Sequence, residues 1–243
     1  LTGPTIEFEI VTPSNDLVGQ VTAALALGLP DVAWRPERAD ALTIVANGPT
    51  ARQASLGGTT LALNGALKVF TDQGLAPTYW AACDPQALVA DFLTDAPVST
   101  TYLVASKCHP DVFRALAGHK VLVWHIDDFS TWELVKDLEP IMSAVSITIC
   151  SFELMHRLGF RRFETWGWDG CFMDGKAHAT DQPGSDVLKT VTLEGRAFET
   201  TGPWALEAQD AMNKLRLSPY DVTIHGDGLI GAVYAVRDRL EYA

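Results

Sequence analysis

His178 stands in a polar stretch with Asp169, Asp174 and Asp181 close in sequence. A carboxylate beside an imidazole can raise its pKa and orient its ring, the arrangement that general acid or base catalysis uses. A solvated surface histidine is the competing reading. Asn47-Gly48-Pro49-Thr50 follows a short apolar run, and Gly48 lets backbone N–H groups approach a phosphate without a Cβ in the way. Taken alone such a loop is more often an ordinary turn, since Gly and Pro are the default turn residues. It matches neither GxGxxG nor GxxxxGK[ST], so the sequence supports neither a dinucleotide site nor a Walker-type ATPase.

Asn64 and Asp84 close two further apolar runs, and Gly167-Trp168-Asp169 closes another. In open parallel sheets ligands bind outside the carboxyl ends of the strands, so these residues converge on one crevice if their strands are neighbours. Each is also an ordinary turn or cap former. His125 with Asp127-Asp128 forms another strand-end cluster, where an Asp pair could take Mg²⁺ through carboxylate oxygens, although a cap is the commoner use. Asp84 and Asp169 are the other candidate metal ligands. Lys107, after a fourth run, could offer a cation to phosphate.

Apolar, β-branched runs at 40–46, 59–63, 78–83, 101–105 and 120–124 alternate with loops or helical periodicity at 85–93 and 110–117. Their nearly continuous apolarity implies strands buried on both faces, hence an α/β, Rossmann-like, mostly parallel sheet with helices on both faces. Residues 141–158 read as a helix stopped by Gly159 and followed by a strand at 163–166. Residues 187–193 and 196–201 read as a short antiparallel hairpin at a sheet edge, and 222–225 as a last strand between two helices. Residues 1–39 read as an N-terminal helical extension, with a helix at about 15–29, and 40–243 as one Rossmann-like domain.

The 243 residues carry a formal net charge of −12, which opposes nucleic-acid binding, because that binding depends on Lys and Arg neutralising phosphates. No apolar run reaches the roughly 20 residues of a membrane span. Cys83, Cys108, Cys150 and Cys171 are scattered without a CxxC pair, so reduced thiols and a cytoplasmic setting are expected.

In this order, Ile44-Val-Ala-Asn-Gly-Pro-Thr50, Leu63-Asn64 with Ala76-Pro77, Asp84-Pro85, Leu158-Gly-Phe160, Gly167-Trp-Asp169 and Asp174-Gly-Lys-Ala-His178 resemble one family. It joins the archaeal 6-hydroxymethylpterin diphosphokinase (MptE-like) proteins to the central domain of the motility accessory factors that glycosylate flagellin. Its loop and GxD strand end are also similar to those of bacterial sialyltransferases that use a CMP-sugar. The resemblance implies a Rossmann-like sheet with Asn47, Gly48, Pro49, Thr50 and Asn64 at the nucleotide, and Asp84 and Asp169 facing the same pocket.

The pterin branch transfers diphosphate from ATP with Mg²⁺ and has a more acidic third strand end than the single Asp84. The accessory-factor branch transfers an acidic nine-carbon sugar, and its Asp-Gly-x-x-His pattern is matched by Asp174, Gly175 and His178. The resemblance therefore favours a glycosyltransferase using a CMP-activated acidic sugar, with His178 and Asp169 as catalytic residues and an unidentified acceptor. The alternatives are a diphosphokinase, which alone would require Mg²⁺, and a catalytically inactive nucleotide-binding module. Thr50 stands where the family has Ser and keeps the hydroxyl, while Trp168 and Gly170 depart from the family around Asp169.

Overall fold

The computed structural model describes residues 14–180, 188–216 and 218–237. In chain order it contains α1 (Ser14–Ala26), β1 (Leu42–Val45), β2 (Thr59–Leu63), α2 (Leu67–Thr71), β3 (Tyr79–Ala82), β4 (Thr101–Ala105), α3 (Pro110–Ala115) and β5 (Lys120–Trp124). A small arm follows: β6 (Ile126–Asp127), α4 (Trp132–Val135) and β7 (Ile141–Met142). Then come α5 (Ile147–Arg157), β8 (Arg162–Trp166), the hairpin β9 (Leu188–Leu193) and β10 (Arg196–Thr201), α6 (Gly202–Arg216), β11 (Asp221–Ile224) and α7 (Leu229–Val236).

Seven strands form one parallel sheet in the order β11-β8-β1-β2-β3-β4-β5. Every residue of β4 is buried, as two-sided coverage of an apolar strand requires. The chain starts in the middle of the sheet, builds outward to β5, then returns to place β8 on the other flank of β1. The strand order therefore reverses between β1 and β8, which makes that junction the topological switch point. Register fixes what meets there: Val45 lies opposite both Ala62 and Trp166, so the residues following β1, β2 and β8 leave the sheet side by side.

The described residues before Asp40 are joined to the sheet. Val32 N–H donates to Val123 O at 2.8 Å and Val123 N–H donates to Pro30 O at 2.9 Å, which covers the outer edge of β5. Gln20 on α1 donates to Pro85 O at 3.1 Å. Two expectations change. The helix read at 141–158 is split, because Ile141 N–H donates to His125 O and pairs β7 with β6, and Ser146 then caps α5. The hairpin is not an edge of the main sheet; β9 and β10 form a sheet of two strands that rests on α6. Cys108, Cys150 and Cys171 are buried, Cys83 is half-buried, and all are free thiols.

Candidate functional site

A cavity of about 430 Å³ opens at the switch point, lined by Asn47, Gly48, Pro49, Asn64, Asp84, Asp169 and His178 among others. The structure thus gathers the ends of β1, β2, β3 and β8 with the loop that carries His178. Thr50, one residue beyond the lining, is buried behind it.

Asp169 does not present a free carboxylate. It is 2% exposed, and it accepts the Thr50 N–H through Oδ2 at 2.9 Å and the Thr50 hydroxyl through Oδ1 at 2.7 Å. The same hydroxyl accepts the Gly167 N–H at 3.0 Å. Burial pushes the Asp169 carboxyl above its ordinary pKa, with the two Thr50 bonds pulling the other way. The aspartate is a strap between two strand ends that holds the β1 loop in place.

That strap explains Gly48. A Cβ there would lie 2.5 Å from Asp169 Oδ2 and 2.5 Å from the Gly167 carbonyl oxygen, closer than packed atoms approach. Gly48 N–H donates to Gly167 O at 2.7 Å, Thr50 N–H to Asp169, and Ala51 N–H to Gly48 O at 3.0 Å. These groups are spent within the chain and are not left for a phosphate.

Another element offers what the loop does not. Ser146, Ile147 and Thr148 line the cavity at the start of α5, and the first N–H groups of a helix have no intrahelical acceptor. With the helix dipole they make a ready anion site. The Ser146 hydroxyl caps the helix by accepting the Ile149 N–H at 3.4 Å. Asn64 takes a left-handed backbone, φ 47°, which asparagine tolerates, and its buried Oδ1 has no hydrogen-bond partner among the described residues. Asp84 accepts the Gln86 N–H at 2.8 Å.

His178 is half-buried, and its environment differs from the one expected. Burial lowers its pKa below the ordinary histidine value, while a hydrogen bond with the Asn47 backbone pulls the other way. Asp174 is exposed and serves a turn: Met173 and Lys176 pair across Asp174-Gly175, both with left-handed φ. Asp181 lies outside the described residues. The segment is held instead by Asn47, whose carbonyl accepts the Ala179 N–H at 2.8 Å and whose amide donates to Thr180 Oγ1 at 2.7 Å. Trp204 on α6 meets the imidazole edge-on, ring centroids 5.7 Å apart.

The sequence reading missed α6 altogether as a site element. Glu207, 8% exposed and on the cavity wall, accepts Trp168 Nε1–H at 2.6 Å, and burial raises its pKa. The signal was a glutamate near tryptophans, without any motif. The remaining candidates fall elsewhere. Asp128 accepts from Ser130 N and Oγ as a turn cap, and neither it nor Asp127 lines the cavity. Lys107 is not on the cavity wall either. His125 sits buried between Ser106 Oγ at 3.0 Å and Asp31 at 3.2 Å. No group of three or more His, Cys, Asp or Glu side chains is gathered for a metal ion among the described residues.

No family model and no curated protein matches the sequence. Among solved structures, the Maf glycosyltransferase of Magnetospirillum magneticum AMB-1 matches 91% of the chain with a TM-score of 0.67 at 13% sequence identity. The likeness is one of fold. The chain spans 38% of the length of that protein. No helix among the described residues is long and apolar enough to cross a membrane.

Proposed function

We propose that the protein is a nucleotide-dependent transferase, a glycosyltransferase that takes a CMP-activated acidic sugar as donor. The observation that carries this reading is one cavity wall at the switch point that holds His178, Asn64 and the open N-terminus of α5 together. The donor phosphate would sit at Ile147 and Thr148, and Asn64 Oδ1 is the acceptor left to meet the nucleoside. As the glycosidic bond forms, negative charge builds on the departing phosphate, and the helix N-terminus stabilises it. His178, kept neutral by burial, takes the proton of the acceptor hydroxyl. Its hydrogen bond with the Asn47 backbone occupies one ring nitrogen and leaves the other for that proton.

Diphosphate transfer from ATP would call on carboxylates to hold Mg²⁺ between phosphate oxygens. Asp169 is engaged by Thr50, Asp127 and Asp128 do not line the cavity, and Asp84, which does, accepts the Gln86 N–H. Asp169 aside, a single candidate carboxylate faces the cavity, without the pair that Mg²⁺ bridging calls for, which favours the glycosyl reading. A thermal-shift comparison decides between them. CMP should raise the melting temperature, corresponding to about 2.7 kcal/mol at one hundred times its Kd. Stabilisation by ATP with Mg²⁺ and not by CMP would overturn the proposal.

A further inference from the structure

A second cavity of about 410 Å³ lies beside the first and shares the side chains of Leu88 and Phe92 with it. Its wall includes Thr71, Thr94, Asp91 and Asp95, with the Thr94 hydroxyl donating to the Asp91 carbonyl at 2.9 Å. The loop that brings His178 to the first cavity brings Thr180 to the second, two residues on. Asn47 anchors that crossing through Thr180 Oγ1. Leu88 and Phe92 therefore stand between the two cavities, with His178 on the wall of the first and Thr180 on the wall of the second.

The chemistry of this wall suits a sugar. An aromatic ring offers a face to the C–H side of a pyranose, while carboxylates on the same short segment accept hydroxyl hydrogens as charge-assisted bonds. Phe92, Asp91 and Asp95 provide both from one stretch of chain. Lys68 on the same wall is bonded to Asp72 at 2.7 Å, so the cavity is acidic in balance and disfavours an anionic ligand.

We propose that this second cavity is the acceptor subsite and that the acceptor is a neutral carbohydrate, an inference that rests on the transferase reading of the first cavity. One hydroxyl of the sugar passes Leu88 and Phe92 and gives its proton to His178. Its oxygen bonds to the anomeric carbon of the donor, whose bond to the phosphate oxygen breaks, the electron pair leaving with the nucleotide.

Titration of isotope-labelled protein with galactose, with N-acetylglucosamine and separately with CMP tests the assignment by NMR. The neutral sugars should shift the amides of Thr71, Asp91 and Asp95. Asp91→Asn with Asp95→Asn should weaken sugar binding roughly tenfold or more, as loss of charge-assisted bonds implies, with CMP shifts at Asn64 unchanged. Both aspartates are exposed, so the double variant should keep the wild-type melting temperature. Sugar shifts absent from the second cavity, or equal in the double variant, would overturn the inference. So would a serine- and threonine-rich peptide shifting those amides in place of sugar. Failure of CMP alone would remove the donor reading and leave the sugar site standing.

Discussion

Asp169 and Thr50 are joined by a pair of hydrogen bonds, 2.9 Å from the Thr50 N–H and 2.7 Å from its hydroxyl, across 119 residues of chain. The hydroxyl also accepts the Gly167 N–H, so it is the node that fixes the β1 loop against the end of β8. Thr50→Val keeps the volume and removes the node, leaving a buried N–H and a carboxylate oxygen without this partner. At about 1–3 kcal/mol for each of the two orphaned groups, the variant should lose roughly 2–6 kcal/mol. Thr50→Ser should lose less than about 1 kcal/mol. Urea denaturation of both variants measures the difference, and equal losses would mean that the methyl, not the hydroxyl, matters.

Gly48 extends the same argument to packing. In Gly48→Ala the new carbon meets backbone and a strapped carboxylate at 2.5 Å, and neither can turn away. Overpacking of this kind costs about 1–3 kcal/mol, and the displaced loop also forms the cavity wall. Gly57→Ala meets no atom within 4 Å and should fall within about 0.5 kcal/mol of wild type. Equal denaturation midpoints for the two alanine variants would show that the loop yields.

The sheet was legible because parallel strands buried on both faces leave long apolar runs, and β1 to β5 stand where those runs predict. The convergence of Asn47, Asn64, Asp84 and Asp169 was legible for the same reason, since strand ends of one parallel sheet share a side. What escaped were relations set by tertiary contact. Sequence cannot show that Gly48 faces a carboxylate in place of a phosphate, because a glycine looks the same beside either. The split of residues 141–158 turned on one backbone bond from Ile141 to His125, far apart in the chain. Glu207 belongs to a helix whose role depends wholly on docking.

Glu207 carries a pH dependence of known sign. Its pKa is raised in the fold mainly by burial, with bonds from Ser146 and Trp168 opposing. Below the ordinary glutamate value both folded and unfolded chains hold the proton, and the full stability is present. As pH rises through the raised folded value that stability is lost, because the fold must then bury a charge. Glu207→Gln keeps an acceptor for Trp168 and has no charge to bury. The variant should therefore melt higher than wild type at neutral pH, with the advantage shrinking toward the ordinary carboxylate range. An advantage independent of pH would place the effect in packing.

Chelation distinguishes the chemistry. Asp84 and Asp169 share the cavity wall, but Asp127 and Asp128 do not line it, and Asp169 is already satisfied by Thr50. No group of three or more His, Cys, Asp or Glu side chains is gathered for a metal ion among the described residues. Turnover of a CMP-sugar should therefore survive EDTA at the wild-type rate. A loss restored by Mg²⁺ would move the assignment to metal-bridged phosphoryl chemistry.

His178 gives the last test, because rate and pH respond to it together. Burial lowers its pKa below 6.5, so the imidazole is neutral and able to accept a proton throughout the neutral range. The acid limb of kcat/KM should consequently lie below the ordinary histidine value. A carboxylate partner would have shifted that limb upward, and the structure gives the ring Asn47 and Trp204 instead. His178→Ala should lower transfer by about 10²–10⁴-fold while CMP affinity is kept, and the limb should vanish with it. If the limb persists in the variant, another group supplies the base; if CMP affinity falls as far as the rate, the histidine holds the donor and does not move the proton.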